Sequence, residues 1–385
     1  MNRPEIIMRT PNEQPATRIG SGTLEILSDG FGFLRESDTS FAPGAEDIYV
    51  SPSQIRRFDL KTGDLIEGKV RAPKDNERYH ALIMVKEING GEPDSAHAVD
   101  DFHHLTPVHP NEPIVLSVAK ESPTNMAALE IFTPIGLGQR GIIVAPPRTG
   151  VTTLIKDLAA KIESLNPDVA TTVLLLDSRP EDVTDFRDST SCEVISTTFD
   201  EPHSRHLQAA EVLIERSKRQ VELGHNEVVI IDSLNQLVRA YNAIIPDSGR
   251  SLPGGLDPAA IVRVKRLFGA ARAIKAMGSL TIIAVVKSET GSTMDELLLE
   301  ELRGVANLEI VLSKDLARRR LFPAIDLTVS TTTRGDLLRT ETDNEMVDAI
   351  VSHLPQDPFE ALQTFRSNAK DCDSIATLME ALAPK

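Results

Sequence analysis

Short stretches of alternating apolar and polar residues fill the chain from about residue 20 to residue 92. Glycine, proline and aspartate turns separate them, as is typical of short β-strands. The stretches are Thr23–Leu27, Gly32–Arg35, Asp47–Val50, Leu65–Val70 and His80–Val85. Several short strands at this spacing predict a small all-β barrel over residues 20–92. Residues 1–19 before it are polar and carry prolines, which predicts a disordered arm.

After a predicted linker over residues 93–128, the pattern changes to strand, loop and helix in alternation. The apolar stretches Gly141–Ala145, Thr172–Asp177, Val228–Asp232 and Leu280–Val286 predict buried parallel strands. A helix that covers the sheet is predicted by apolar residues at helical spacing, namely Leu154, Ile155, Leu158, Ala159 and Ile162. We therefore expect an α/β domain, a parallel sheet with helices on both faces, over residues 129–345. Residues 346–385 predict a C-terminal helical segment.

Two aromatic residues, Phe31 and Phe33, lie on the second predicted strand. Their rings share a face, because side chains on a strand repeat every two residues. With Arg35 at the edge and Tyr49 on the next strand, they form a platform on which single-stranded bases can stack. Core residues of a small barrel are the alternative interpretation. The glycines beside the rings and the basic pair Arg56–Arg57 favour nucleic acid and a cold-shock type of OB-fold.

The stretch Gly141–Thr153 leaves an apolar strand, turns at Gly150 and enters a helix through Thr152 and Thr153. This is the layout of a phosphate-binding loop (P-loop), where backbone N–H groups hold phosphate and a hydroxyl holds Mg²⁺. The lysine of such a loop neutralises charge on the β- and γ-phosphates. Val151 stands in its place, so the sequence predicts a phosphate pocket with weakened chemistry.

Asp232 ends an apolar stretch that follows the P-loop. At this position a carboxylate can bind Mg²⁺ through a water molecule. A helix-capping aspartate is the alternative. Two polar loops follow, Pro246–Gly255 and Glu289–Thr293. In a ring-shaped ATPase such loops project into the central pore, and otherwise they are ordinary surface turns.

Composition narrows the class of protein. The net charge of −16 lowers the expectation of nucleic-acid binding without excluding a local basic site. The two cysteines, Cys192 and Cys372, lie far apart and predict neither a disulfide framework nor a metal site. No signal peptide is recognised, and the longest apolar runs are too short to cross a bilayer. We therefore expect a cytoplasmic protein with no membrane partner.

Ordered motifs from about Gly20 to Leu338 resemble the family of the bacterial transcription termination factor Rho. The motifs are Asp-Gly-Phe-Gly-Phe-Leu-Arg (29–35), Asp-Ile-Tyr-Val-Ser-Pro-Ser-Gln-Ile-Arg-Arg-Phe (47–58), Glu-Arg-Tyr (77–79), Gly-Gln-Arg-Gly (138–141), Arg-Pro-Glu (179–181), Thr-Phe-Asp-Glu-Pro (198–202), Ser-Arg-His (204–206), Arg-Ala-Tyr-Asn (239–242), Lys-Arg-Leu-Phe-Gly-Ala-Ala-Arg (265–272) and Leu-Phe-Pro-Ala-Ile-Asp (321–326).

The resemblance implies a hexameric, RNA-dependent ATPase and translocase with a RecA-like P-loop domain, which uses ATP with Mg²⁺ and meets the RNA polymerase complex indirectly. It implies that pyrimidine-rich single-stranded RNA binds at Gly30, Phe31, Gly32, Phe33, Leu34, Arg35, Asp47, Ile48, Tyr49, Glu77, Arg78, Tyr79, Arg250 and Thr293. It implies that nucleotide binds at Gly136, Leu137, Gly138, Gln139, Arg140, Gly141, Arg148, Thr149, Gly150, Val151, Thr152, Thr153, Arg179 and Phe322. Thr152 and Asp232 would hold Mg²⁺ if nucleotide binds. Phe322 would stack on adenine, and Arg320 would lie near the subunit interface.

Departures from the family pattern concentrate on catalysis. The altered positions are Val151 at the P-loop lysine, Ser178 at the water-activating glutamate, Gln236 at an arginine after the Asp232 strand, Thr293 at a pore-loop lysine and Thr333 at the arginine finger. Arg334 is one residue along from the finger and substitutes for it only with a register shift. Asp232 and Arg320 are retained remnants of the catalytic set.

Three hypotheses remain open at this stage. The first is a pseudo-ATPase of the Rho family that keeps RNA capture, loses hydrolysis, and acts as a homohexamer or in a mixed hexamer with an active Rho. The second is a divergent but active enzyme in which Arg148 reaches the phosphates and Glu181 or Asp182 acts as base. The third is a static RNA-binding protein without a Rho partner.

Overall fold

The computed structural model describes residues 17–74, 76–93, 100–117, 124–246 and 248–384. The chain divides into two compact units, Met1–Val99 and Asp100–Lys385. Most of the predicted arm and parts of the predicted linker lie outside the described residues. In the described ranges, no helix combines the length and the apolar character needed to cross a membrane.

The first unit is a closed barrel of five strands in the order β1-β2-β3-β5-β4. Its elements are β1 (Thr17–Ile26), β2 (Gly32–Arg35), β3 (Ile48–Val50), helix α1 (Pro52–Arg57), β4 (Leu65–Arg71) and β5 (His80–Ile88). Neighbouring strands are antiparallel except β3 and β5. Leu24, Leu34, Ile48, Ile66 and Val70 fill the interior, so the alternating pattern buries one face as predicted.

Strand β1 begins at Thr17, earlier than the predicted barrel start at residue 20. Its first residues pair with β4, with Thr17 opposite Arg71 and Ile19 opposite Lys69. Thr17 and Ile19 are both exposed, so this extension is held by pairing with β4 and not by burial of apolar side chains.

The second unit is built on a sheet in the order β14-β13-β7-β12-β10-β8-β9. Its elements are β6 (Pro107–Val108), α2 (Thr124–Phe132), β7 (Arg140–Ala145), α3 (Val151–Leu165), β8 (Val169–Ser178), α4 (Pro180–Ser189), β9 (Glu193–Thr198), α5 (His203–Glu222), β10 (Asn226–Asp232), α6 (Leu234–Ile244), α7 (Pro258–Phe268), β11 (Arg272–Ile274), β12 (Ser279–Lys287), α8 (Thr293–Arg303), β13 (Leu308–Val311), α9 (Lys314–Arg318) and β14 (Thr331–Thr332). The strands from β13 to β9 are parallel.

The predicted parallel α/β fold is confirmed, with short antiparallel additions. Strand β14 pairs antiparallel with β13, while β11 pairs antiparallel with β12 and β6. Helix α3 buries the five apolar residues predicted for its inner face and contacts β8. Helix α5 contacts β10, and α6 contacts β12.

The chain from Glu341 onward forms α10 (Glu341–His353), α11 (Pro358–Ala369) and α12 (Ile375–Leu382). Val347, Ile350, Leu362 and Leu378 join the core of the α/β unit. The ring of Phe365 meets that of Phe132 on α2 at 5.8 Å between centroids. This segment is therefore packed into the second unit.

Glu227, near the start of β10, is a buried carboxyl that links stability to pH. Burial raises its pKa from 4.5 to about 7, while Arg216 acts in the opposite direction. The folded pKa exceeds the unfolded one, so the stability that the neutral carboxyl contributes is present below about pH 4.5 and lost as the pH rises through 7. We expect Glu227→Gln to raise the free energy of unfolding at pH 8 by about 1–3 kcal/mol and to change it little at pH 4.5. Urea unfolding at both pH values measures this, with Glu300→Gln, at an exposed position, as control. An equal effect at both pH values would refute the assignment of this pH dependence to the Glu227 carboxyl.

Candidate nucleic-acid and nucleotide sites

Four aromatic rings form a cluster on the outside of the barrel. The centroid of Phe31 lies 5.8 Å from that of Phe33 and 5.6 Å from that of Tyr49. Tyr79 adds a fourth ring, 4.8 Å from Phe33. Phe33 is 8% exposed, whereas Phe31, Tyr49 and Tyr79 are half-buried. The rings predicted to share a face do meet, and Phe33 supports the more accessible ones.

Arg35 was expected at the edge of this platform, and that expectation is wrong. It is 5% exposed, and its guanidinium pairs with Glu25 at 2.7 Å and also with Asp47. The same group lies over the Phe33 ring, 4.9 Å from the centroid. Two carboxylates hold the charge inward, so Arg35 and Asp47 stiffen the platform from below.

Leu34 and Ile48 belong to the barrel core, where Leu34 is 2% and Ile48 5% exposed. Gly30 has a φ of 83°, which favours glycine in the turn before Phe31. Gly32 is packed too tightly for a side chain, since a Cβ there would lie 2.8 Å from the carbonyl oxygen of Glu25. These residues shape the site through the backbone.

A cavity of about 610 Å³ opens beside the aromatic cluster, between Tyr49 and Tyr79 and next to Arg71, Glu77 and Arg78. Arg71 and Glu77 form a two-bond ion pair, and this pair lowers the pKa of Glu77 to about 2. The Arg78 guanidinium lies 5.4 Å from the centroid of the Tyr79 ring. Aromatic faces, fixed cations and a carboxylate acceptor are the groups that bind unpaired bases.

Sequence reasoning missed Arg71, which orients Glu77 across the turn between β4 and β5. A basic and an acidic residue facing each other across a predicted turn was the available signal.

The two predicted pore loops meet in the α/β unit. A Cβ on Gly254 would lie 2.7 Å from the backbone nitrogen of Met294, so the loop with Arg250 packs against the start of α8, at Thr293. Arg250 is exposed. Asp247 of this loop lies outside the described residues.

Helix α6 anchors the second loop at both ends. The Lys287 N–H donates to Asn235 at 2.7 Å, and Arg239 pairs with Asp295 at 2.9 Å. Thr290 also donates to Asp295 at 2.6 Å. A helix that begins directly after Asp232 and Ser233 thus positions the loop.

The P-loop has the backbone of a phosphate cradle. Gly150 precedes α3 with a φ of 80°, and the Thr149 hydroxyl donates to the Pro146 carbonyl at 2.8 Å. The first helical hydrogen bond runs from the Leu154 N–H to the Gly150 carbonyl at 3.1 Å. The N–H groups of residues 151–153 precede it and point out of the helix end. Such an end attracts anions.

Phe322 comes from a distant part of the chain to this loop. A Cβ on Gly150 would lie 3.4 Å from its ring, and Phe322 is 40% exposed. A planar, partly exposed ring beside a phosphate cradle suits a nucleotide base.

The side chain of Val151 is half-buried and packs against the core of the α/β unit. Thr152 is half-buried and Thr153 is exposed. The P-loop therefore keeps its backbone and a hydroxyl beside Val151, while position 151 itself presents apolar surface.

Asp232 and Gln236 occupy the edge where the parallel strands end. Burial raises the pKa of the Asp232 carboxyl, and its Oδ1 has no hydrogen-bond partner among the described residues. Gln236 donates to Asp177 at 2.6 Å. His206 lies 3.9 Å from the same carboxylate and bonds Thr197 at 2.7 Å. Asp232 with Thr152 is a chemically suitable oxygen donor set for Mg²⁺.

Ser178 ends β8, and its carbonyl accepts from the Phe199 N–H at 3.3 Å. A serine hydroxyl has no carboxylate with which to activate water. Arg179 follows it and is exposed.

Thr333, at the position predicted for the arginine finger, is neutral. The backbone N–H of Thr333 donates to the Asn307 carbonyl at 2.9 Å. Arg334 has a φ of 57° and pairs with Asp336 at 3.0 Å. That ion pair ties the Arg334 guanidinium to its own chain.

The segment Gly136–Gly141 lies at the amino end of β7, whereas the P-loop follows the carboxyl end. Gln139 donates to the Asn307 carbonyl at 2.8 Å, and Arg140 donates to the Val305 and Ala271 carbonyls at 3.0 Å. The structure does not bring this segment together with the P-loop.

Each of the two units matches a known protein family. Residues 20–94 match the family described as Rho termination factor, RNA-binding domain, and residues 125–332 match the ATP synthase alpha/beta family, nucleotide-binding domain. The chain is 50% identical over 323 residues to transcription termination factor Rho of Haemophilus influenzae, which covers 83% of this chain and 77% of that protein. It is 49% identical over 324 residues to Rho of Escherichia coli K12, with coverage of 84% and 77%.

Solved structures show the fold of the larger unit. An ATPase from the type III secretion system of pathogenic bacteria aligns with a TM-score of 0.58 at 22% identity, covering 72% of this chain and 86% of that one. The assembled ATPase EscN of enteropathogenic E. coli aligns with a TM-score of 0.56 at 20% identity, covering 81% and 78%.

Proposed function

Because the chain belongs to the Rho termination factor family, we propose that it captures single-stranded RNA in transcription termination while having lost nucleotide hydrolysis. The observation that carries the proposal is the contrast between its two sites. The barrel has a cavity lined by Tyr49, Tyr79 and Arg78, whereas apolar Val151 packs against the core where a P-loop needs a cation.

Support for RNA capture comes from the geometry of the barrel. Phe31 and Tyr49 offer partly exposed rings, and Arg78 and the Arg71–Glu77 pair line the adjoining cavity. Stacking on aromatic rings contributes about 1–3 kcal/mol per base. The net charge of −16 makes such local contacts, rather than long-range attraction, the source of affinity. We expect pyrimidine-rich RNA as the ligand, in the cytoplasm.

Support for lost hydrolysis comes from three neutral side chains. Val151, Ser178 and Thr333 stand where phosphoryl transfer needs a lysine, a water-orienting carboxylate and an arginine. Loss of an arginine finger alone removes about 10³-fold or more in rate. Loss of the base removes about 10²–10⁴-fold. These effects are not additive, but the largest of them already leaves turnover too slow for a motor.

The residues still fit a bound nucleotide. The P-loop N–H groups would hold phosphates, and Phe322 would meet the base. Thr152 and Asp232, whose Oδ1 has no partner among the described residues, would hold Mg²⁺. A bound Mg²⁺ supplies charge neutralisation of the phosphates.

The direct test is ATP hydrolysis by the purified chain. We expect turnover, with and without pyrimidine RNA, at least about 10³-fold below that of an active Rho. RNA-stimulated hydrolysis at a comparable rate would refute the proposal.

One observation favours the active-enzyme alternative. Arg148 is exposed, has a φ of 67° and makes no salt bridge in the described part of the chain. If it replaces the missing lysine, with Glu181 or Asp182 as base, Arg148→Ala would abolish RNA-stimulated hydrolysis.

Regulation of an active Rho is the role we propose for such a chain. The family works as a ring in which each nucleotide site is completed by a neighbouring subunit. A chain with this fold would enter a homohexamer or a mixed hexamer and change termination, reaching RNA polymerase indirectly through the nascent RNA.

A further inference from the structure

Three arginines in or next to the segments that border the P-loop have no acidic partner within the described ranges. Arg148 is in the loop, Arg179 follows β8 at the same edge of the sheet, and Arg320 precedes the Phe322 ring that lies beside Gly150. All three are exposed, and none takes part in a salt bridge within the described ranges. In a chain with a net charge of −16, unpaired cations beside a phosphate cradle indicate an anionic ligand.

The cradle is suited to the first phosphates of a nucleotide. In a P-loop, backbone N–H groups hold the α- and β-phosphates, while the lysine reaches the β- and γ-phosphates. The N–H groups at the start of α3 and the left-handed turn at Gly150 are both present. Binding of the α- and β-phosphates by these backbone groups therefore does not depend on the side chain at position 151.

The region that a γ-phosphate would occupy has lost its positive charge. Val151 is apolar and packs against the core. Gln236 is neutral and bonds Asp177 at 2.6 Å. A third phosphate adds negative charge and would meet no cation at positions 151 and 236.

We propose that the pocket binds a purine nucleoside diphosphate at least as tightly as the triphosphate. This inference rests on the retained pocket of the proposed function and assigns its ligand class. Diphosphate binding needs the N–H cradle, the Phe322 ring and an entrance arginine, all of which the chain has. At positions 151 and 236 the triphosphate gains no charged contact that would offset the desolvation of its γ-phosphate.

The test is isothermal titration of the full chain with ADP and with an ATP analogue whose β–γ bridge cannot be hydrolysed, both with Mg²⁺. We expect the Kd of ADP to equal that of the analogue within about 3-fold, or to be lower. Val151→Lys should tighten the analogue by about 10-fold or more and ADP by less, because it restores one charge-assisted contact at the γ-phosphate. Val151→Met, with a similar length and no charge, should keep the wild-type ratio.

The ratio of the two dissociation constants in the wild-type chain tests the diphosphate preference even if a substitution at position 151 unfolds the chain. An analogue that binds wild type more than about 3-fold tighter than ADP overturns the inference, as does failure of both nucleotides to bind. ATP turnover measured on the same sample separates this outcome from failure of the proposed function. Turnover would refute the loss of hydrolysis whatever the binding ratio is.

Discussion

Replacing Tyr49 by leucine is expected to weaken binding of a short pyrimidine RNA by about 10- to 100-fold, because one stacked base contributes about 1–3 kcal/mol. The Tyr49 ring is half-buried, lies 5.6 Å from Phe31 and lines the cavity of the barrel. Leucine keeps the bulk of the side chain and removes the flat face. Fluorescence anisotropy with a labelled oligonucleotide measures the change.

The matched control is Tyr49→Phe, which keeps the ring and removes only the hydroxyl. It should bind within about 3-fold of wild type if stacking is the main contribution. Equal losses in the two variants would mean that the hydroxyl, and not the ring, carries affinity. Arg35 is a poor probe of RNA contact, because its removal leaves the buried Asp47 and the half-buried Glu25 without this cation.

The parts of the fold that follow from local periodicity were predictable from the sequence. Strands β7 and β12 are buried except at one end residue each and are marked by apolar runs in the sequence, and the inner face of α3 follows helical spacing. Strands β6 and β14 have two residues each and are largely exposed, so no apolar pattern marks them. Their pairing depends on segments far along the chain.

In the candidate sites, too, local features were predictable from the sequence, whereas contacts between distant segments were not. The aromatic pair on β2 follows from strand geometry alone. The burial of Arg35 does not, because its partners Glu25 and Asp47 lie on other segments of the barrel. The Gln236–Asp177 bond joins α6 to β8, and the contact of Phe322 with Gly150 spans a still longer stretch of chain. Long-range side-chain partners of this kind are set by tertiary packing.

The second large effect concerns mixed rings. If each nucleotide site of an active Rho needs two adjacent active chains, random mixing leaves a fraction of intact sites equal to the square of the active fraction. An equal mixture would then keep about 25% of the ATPase rate, against about 50% for simple dilution. If the ring advances only when all six sites work, the rate falls to about 2%. We expect a fall steeper than dilution because, under the proposed function, Val151 would disable the chain's own site and Thr333 would offer no arginine to its neighbour.

Competition for RNA must be separated from ring poisoning, because both inhibit termination. The Tyr49→Leu variant is expected to bind RNA weakly and to keep the α/β unit, so it should still poison the ring when mixed with an active Rho before RNA is added. Excess pyrimidine RNA should restore the rate only where inhibition comes from sequestration. Mixing is measured by ATP hydrolysis across a series of ratios after co-refolding or co-expression. A rate that falls in proportion to dilution would show that the chain stays outside the ring, and would leave RNA capture as its means of action.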